Sequence, residues 1–310
     1  MTNDSEFLPL VSIIIPTFNH AMYLPFALRS VLEQTYTNWE LIIINNYSTD
    51  NTVEIVEGLN DTRIQIINFH NNGIIAASRN IGILKARGEW LAFLDSDDVW
   101  YSTKLERCMS IIGADLNVTA VCHGERWVYS DNYYRDVRYG PMSLATYDSL
   151  LFQGNCISTS AVVVRGELIK KVGLFSEKKQ FITAEDYDLW LKLAKSNVFF
   201  AFIPEALGEF RIHPGGNSQF IIKNMNAILS VLNHHYNEIE SKDMWKHIRY
   251  LRAQSLIFYG AGRGFQKQNN RRSSFKLFFR SMITYPFNSR LYIAMFINLL
   301  PKNIKIKVER

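Results

Sequence analysis

The sequence is short of cysteine: three residues in 310, Cys108, Cys122 and Cys156. Their odd number and wide spacing suit a reducing compartment and match no metal-ligand pattern. Low-complexity tracts, repeats and collagen-like periods are absent. The opening MTNDSEFLPL is acidic, with no basic segment leading into an apolar one, so no signal peptide is expected. Long apolar runs are also lacking. Residues 275–300 are rich in Phe, Leu, Ile and Met, but Lys276, Arg280, Pro286 and Arg290 interrupt them. That falls short of the ~20 apolar residues a membrane-spanning helix needs, and surface attachment fits better.

What remains is ordinary globular composition, 47% apolar and 20% charged, on a chain long enough for one large core and an appendage. The charge is unevenly placed. Residues 1–215 carry 18 Lys and Arg against 25 Asp and Glu, whereas residues 216–310 carry 16 against 4. An acidic front and a strongly basic tail predict that the tail meets something anionic, a membrane surface or a nucleic acid.

The first hundred residues alternate strand and helix signals. Strands are expected at Val11–Ile15, Leu41–Ile44, Ile64–Ile67 and Trp90–Leu94. Helices are expected from Leu24 to Leu32, Thr52 to Leu59 and Ile74 to Ala86, with Gly88 closing the last. This rhythm predicts a parallel sheet with helices on both faces and functional loops beyond the carboxyl ends of its strands. Further strands are expected at Val118–Cys122, Ala161–Val164 and Val198–Ile203, with Trp127–Tyr139 as an aromatic, polar separator and a helix at Ala184–Ala194. The pattern breaks at His213–Gly216, which places a boundary between residues 1–216 and a basic, mainly helical region, 217–310. There Ile221–Tyr236 and Trp245–Tyr259 have helical periodicity. The glycine-rich Gly260–Gly264 follows a helix rather than a strand and reads as a turn.

Four clusters carry possible chemistry. Asp95, Asp97 and Asp98, around Ser96, put three carboxylates in four positions at a strand end. Mutual repulsion calls for a cation, and hard oxygen ligands favour Mg²⁺ or Mn²⁺; a solvated turn with a helix cap is the alternative. Glu185 and Asp186 open a helix, where an acid suits proton abstraction from a hydroxyl. Thr183 and Asp186 also have the spacing of a capping box. Arg211 and His213 suit a diphosphate and a metal or phosphate oxygen, against a plain closing loop. The run from Asn45 to Asp50 follows the second strand and suits a nucleoside, against a turn and cap.

In order and spacing, the segments VSIIIPTFNHAMYL, YTNWELIIINNYSTDNT, NNGIIAASRNIGILKARGEWLAFLDSDD, VVVRGELIKKVGLF, AEDYDLWLKLAK and FRIHPGGNS resemble the family-2 glycosyltransferases. The likeness runs from Val11 to Gly216. It implies a GT-A fold, an α/β Rossmann-like architecture with a mostly parallel central sheet, and an inverting reaction of surface-polysaccharide type. By the same resemblance, Pro16, Thr17 and Asn19 line a nucleoside pocket and Arg79 lies near the nucleotide. Asp95 contacts ribose or donor sugar beside Ser96, and Asp97 contacts the metal with Asp98 assisting. Asp186 is the catalytic base, with Glu185 beside it and Trp190 packing under the acceptor site. Arg211 and His213 close over diphosphate and metal. Asn45 stands where the family has an aspartate; its amide can donate as well as accept but carries no charge.

The resemblance further implies a UDP-sugar donor, a saccharide or lipid-linked saccharide acceptor, and a divalent cofactor. A cytoplasmic enzyme held on the inner face of the plasma membrane follows from the basic, apolar-interleaved tail. That tail alternatively forms a homo-oligomer contact. No basic motif with a reading helix is present, so no nucleic acid is expected.

Overall fold

A computed structural model describes residues 8–129, 133–213 and 220–300. The chain divides into two compact units: Met1–Leu150 with Asn155–Gly216, and Leu151–Gly154 with Asn217–Arg310. Pro214, Gly215 and Gly216 of the quoted closing motif lie outside the described residues.

The first unit opens with β1 (Val11–Thr17), α1 (Leu24–Leu32), β2 (Trp39–Asn45), α2 (Thr52–Glu57), β3 (Ile64–Asn68), α3 (Ile75–Lys85) and β4 (Trp90–Phe93). The strands lie in the order β3-β2-β1-β4, all parallel. Every residue of β1 and β2 is buried, which is why their centres, Ile13–Ile15 and Leu41–Ile44, read as apolar runs instead of alternating ones. Helix α3 packs so closely that a Cβ on Gly82 would come within 2.5 Å of Ile14 Cγ2. Pro16 is tolerated in a central strand because it lies past the last β1–β4 pair, Ile14 with Phe93. This order reverses between β1 and β4, so Thr17, Asn45 and Leu94 emerge together at the carboxyl edge.

The chain continues through β5 (Val99–Trp100), α4 (Lys104–Ala114), β6 (Ala120–Tyr129), β7 (Tyr134–Val137), α5 (Tyr147–Gln153), β8 (Val162–Arg165), α6 (Gly166–Lys171), α7 (Glu185–Lys195) and β9 (Phe200–Ile212). The sheet extends as β8-β6-β9-β5, with β7 paired to β6. Strand β8 runs antiparallel to both β4 and β6, while β9 runs parallel to β6.

Four expectations need correcting. Trp127–Tyr139 is no separator, because it supplies the end of β6 and all of β7. Strand β9 does not stop at Ile203 but crosses Pro204, with a register shift opposite Gly124 that absorbs the missing donor. Gly88 is not the helix stop: α3 ends at Lys85 with Ala86 extended, and Gly88 is needed because a Cβ would sit 2.6 Å from the Leu10 carbonyl. Gly260–Gly264 is helical, inside a helix of the second unit that runs Met244–Lys267.

That unit holds α8 (Ile221–Asn237), α9 (Met244–Lys267), α10 (Arg271–Thr284) and α11 (Ser289–Leu299). A Cβ on Gly262 would meet the Phe278 ring at 2.6 Å, and one on Gly264 would meet Ile221 at 2.9 Å, so these glycines let helices cross closely. Ser255 and Ser281 bond each other across α9 and α10 at 2.8 Å. Among the described residues no helix is long and apolar enough to cross a membrane.

Candidate active site

The loops after β1 and β2 are tied to each other. Asn19 adopts a left-handed φ of 51°, which asparagine tolerates, and its Oδ1 accepts from the Thr49 N–H at 2.8 Å. The Ser48 hydroxyl accepts from the Asn19 N–H at 2.9 Å, and Asp50 accepts from the Ala21 N–H at 2.9 Å. Asn45 is only 1% exposed and bonded at both ends of its amide: Oδ1 accepts from the Ser48 hydroxyl at 2.6 Å, and Nδ2 donates to Asn68 at 2.7 Å. Thr17 is buried beside them with its hydroxyl unpartnered. Tyr47 stacks on His70 at 4.5 Å and stays half exposed at the mouth.

The three aspartates after β4 have different surroundings. Asp95 receives an Arg79 guanidinium N–H at 2.7 Å. Asp97 faces His213, Oδ2 to Nε2 at 2.9 Å. Asp98 is buried, accepting from the Ser160 hydroxyl at 2.6 Å and the Arg211 N–H at 3.0 Å. Burial, with Asp97 and Glu125 nearby, pushes its carboxyl well above the usual range. Ser96 bonds His20 Nδ1 at 2.7 Å, and the Tyr23 ring lies 4.4 Å from that of His213. The Arg211 guanidinium reaches Glu209 at 3.4 Å and lies over Phe26.

Arg79 joins this group to α7. Its second guanidinium nitrogen donates to Glu185 at 2.7 Å. Burial alone would weaken its protonation, but Asp95 and Glu185 outweigh that and hold the cation firmly charged. It sits over the Phe175 ring, against which Trp190 packs edge-on, fully buried. The capping box does not form. Ala184 is the N-cap with no side-chain bond, and Thr183 (φ 86°) gives its N–H to Glu185 at 2.8 Å. Asp186 is half-buried; it accepts from the Tyr187 N–H at 2.7 Å and the Thr159 hydroxyl at 3.1 Å. Burial and repulsion from Glu185 push its carboxyl up to about 6, against the opposing pull of Arg79.

Asp95 and Asp186 line one cleft of about 260 Å³, whose other walls are Trp127, Tyr139, Phe210, Asn155 and residues 157–160. Behind them Glu125 accepts from Tyr139 at 2.6 Å and from Ser158 at 3.0 Å. Burial lifts its carboxyl to about 7. Sequence reasoning missed Glu125, Tyr139, the Ser158–Ser160 hydroxyls, His20 and Tyr23. The available signal was Ser158-Thr159-Ser160 just ahead of an apolar strand; Glu125, a single acid between Gly124 and Arg126, offers none.

Among the described residues no three or more His, Cys, Asp or Glu side chains form a ready-made metal cluster. Asp97 and His213 nevertheless bring one oxygen and one nitrogen within 2.9 Å of each other, each side chain partly shielded, at 20% and 11% exposure. That donor set fits Mn²⁺ or Mg²⁺, which take one or two protein ligands and complete their shells with phosphate oxygens and water.

A family model described as glycosyl transferase family 2 matches residues 12–173, from β1 past α6. The chain belongs to this family. Among its relatives is the Escherichia coli UDP-Glc:alpha-D-GlcNAc-diphosphoundecaprenol beta-1,3-glucosyltransferase WfgD, 34% identical over 189 residues, covering 61% of this chain and 71% of WfgD. Another is TuaG of Bacillus subtilis (strain 168), named for teichuronic acid biosynthesis, 31% identical over 207 residues, covering 66% of this chain and 79% of TuaG. Solved glycosyltransferases share the GT-A fold. TarS 1-349 of S. aureus with UDP-GlcNAc gives a TM-score of 0.62 at 16% identity, over 93% of this chain and 88% of that one. The Pyrobaculum calidifontis mannosyltransferase PcManGT with GDP-Man and Mn²⁺ gives 0.62 at 14% identity, over 94% and 85%. A longer TarS chain is matched over 50% of its length.

Proposed function

We propose that the first unit is the catalytic domain of an inverting transferase that moves a sugar from a UDP-sugar to a hydroxyl of a saccharide or lipid-linked saccharide. One observation carries this reading: Asp186, the least compensated acid of the Arg79 network, opens onto the cleft that Asp95 also lines. An acceptor hydroxyl held against the wall formed by Trp127 and Phe210 would give its proton to Asp186 as its oxygen attacks the anomeric carbon. The bond to the diphosphate would break on the opposite face, so an α-linked donor yields a β-linked product. Sugar rings pack well on aromatic faces, and the Trp127 and Phe210 rings lie 5.3 Å apart in the cleft wall.

The loops of Thr17, Asn19 and Asn45 would hold the nucleoside, with the free Thr17 hydroxyl available to it. Asp97 and His213 would hold a divalent cation, whose charge would offset that growing on the leaving diphosphate. Arg211 needs only to swing from Glu209 to add a second positive group. The UDP donor is favoured by the names of WfgD and the TarS complex, and the lipid-linked acceptor by that of WfgD. A place on the inner face of the plasma membrane is supported by the second unit, where Phe279, Ile283, Phe287, Phe296 and Leu299 are exposed among basic residues.

The deciding experiment is transfer from UDP-sugars by wild type and Asp186→Asn, with the product anomer read by NMR. A retained anomeric configuration would overturn the single displacement.

A further inference from the structure

The second unit contains a cavity of about 380 Å³ that the transferase reading does not use. Its walls include Arg252, Ser255 and Tyr259 of α9, then Tyr285, Asn288 and Arg290, which lead from α10 into α11. The floor is rigid: the buried Ser255 hydroxyl is held at 2.9 Å from the Ser281 carbonyl and 3.3 Å from that of Tyr285. The rim is cationic and uncompensated. From Met244 to Leu300 the chain carries ten Lys and Arg and no Asp or Glu. Among the described residues neither Arg252 nor Arg290 has an ion-pair partner. The Asn288 side-chain nitrogen, also on this wall, is buried with no acceptor in reach. Orphaned buried donors are costly and mark the place of a missing partner. Two guanidinium groups and an unsatisfied amide together call for an oxyanion with several acceptor oxygens.

The surroundings restrict what carries that anion. Phe287, another wall residue, is 81% exposed, and Ile283 on the preceding turn of α10 is 67% exposed. A free phosphate gains nothing from such neighbours, whereas an amphiphile buries its chain against them. We propose that this cavity binds the phosphate group of a membrane lipid. The unit then recognises a headgroup at a built site, beyond any general attraction of its basic surface to an anionic bilayer. The inference rests on the second unit alone, so it stands or falls independently of the sugar-transfer chemistry.

The test measures binding of dihexanoyl phosphatidic acid, below its micelle concentration, and of inorganic phosphate to the 310-residue chain by calorimetry. The variants are R252Q/R290Q and, as a control of equal charge change outside the cavity, R272Q/K276Q. The short-chain lipid should bind at least about tenfold more tightly than inorganic phosphate. It should lose at least about tenfold in R252Q/R290Q and little in the control. A third variant, Asn288→Asp, puts another residue favoured at the N-cap position there while placing a negative charge in the wall; it should lose binding with its helical circular dichroism intact. Equal loss in both double variants would mean diffuse electrostatics and overturn the site. Equal affinity for lipid and inorganic phosphate would overturn the lipid as its ligand.

Discussion

Asp186→Asn separates the two roles that an acid at a helix start can have. The substitution removes basicity and keeps shape. An asparagine Oδ1 still accepts from the Tyr187 N–H, and its Nδ2 can donate to the Thr159 hydroxyl in place of the present 3.1 Å bond. As the proton acceptor, Asp186 is worth about 10²–10⁴ in turnover, and kcat should fall by that factor with donor affinity nearly unchanged. Stability should move the other way. The carboxyl is raised to about 6, chiefly by burial and then by Glu185, so the folded state holds this proton more tightly than the unfolded chain does. Stability from this group is therefore full below the ordinary carboxylate value and is lost as pH rises towards 6. Above that its ionisation costs the fold about 1–3 kcal/mol. A neutral amide removes that cost. The variant is expected to melt higher than wild type at pH 8 and to match it near pH 4. Wild-type kcat should fall about tenfold per pH step below 6, a limb absent from the residual activity of the variant. The assays are single-turnover transfer and a pH series of thermal melts. A variant that melts lower at pH 8 while keeping its turnover would refute the base assignment and leave Asp186 a purely structural role.

Asp97→Ala should weaken UDP binding about tenfold in the presence of Mn²⁺ and abolish the Mn²⁺-dependent part of the UDP thermal shift; equal shifts in both proteins would remove the cation from Asp97. Asn45→Asp loses the donor to Asn68, so it should cost about 1–2 kcal/mol in chemical denaturation and leave the order of preference among nucleotide donors intact; a reordered preference would put Asn45 in contact with the nucleoside. Gly262→Ala should destabilise the second unit by about 1–3 kcal/mol despite alanine's better helix propensity, because the Phe278 ring it meets is fully buried and cannot yield. Sedimentation with vesicles should require anionic lipid and weaken with added salt; equal binding to neutral vesicles would assign attachment to the apolar residues alone.

The parallel half of the sheet was legible because β1 and β2 each hold a continuous apolar run, Ile13–Ile15 and Leu41–Ile44, and each following helix carries its own 3.6-residue period. The other half was harder. Strand β7 lies at the margin, alternating exposed and half-buried, so Tyr134 and Asp136 read as surface polar residues. Strand β9 passes through Pro204, which ordinarily marks a strand's end, and only the bulge opposite Gly124 reconciles the two. The acidic clusters at Asp95–Asp98 and Glu185–Asp186 stood out because charge crowding is a local pattern. Glu125 did not, since a single acid in a strand has no local signature. Its significance comes from Tyr139 and Ser158, brought to it by the sheet from 14 and 33 residues away. Asn45 was legible as a departure from the family pattern, but its internal bonding to Asn68 was not.

In the proposed mechanism, Arg79 decides which of two adjacent acids serves as the base. Glu185 and Asp186 follow one another in sequence and share the first turn of α7, where the helix field favours the charged form of both. Sequence position alone cannot rank them. Arg79, reaching from α3, donates to Glu185 at 2.7 Å and leaves Asp186 with a neutral hydroxyl and a backbone N–H. Glu185 is thereby occupied by its ion pair. Its negative charge acts on its neighbour, raising Asp186 towards the value that best removes a proton near neutral pH. The same guanidinium fixes Asp95 through its other arm, also at 2.7 Å, so one buried cation ties Asp95 to the start of the helix that carries the proposed base. Replacing it with lysine would keep the charge but supply a single point in place of two directed arms, and one of the two carboxylates would be released.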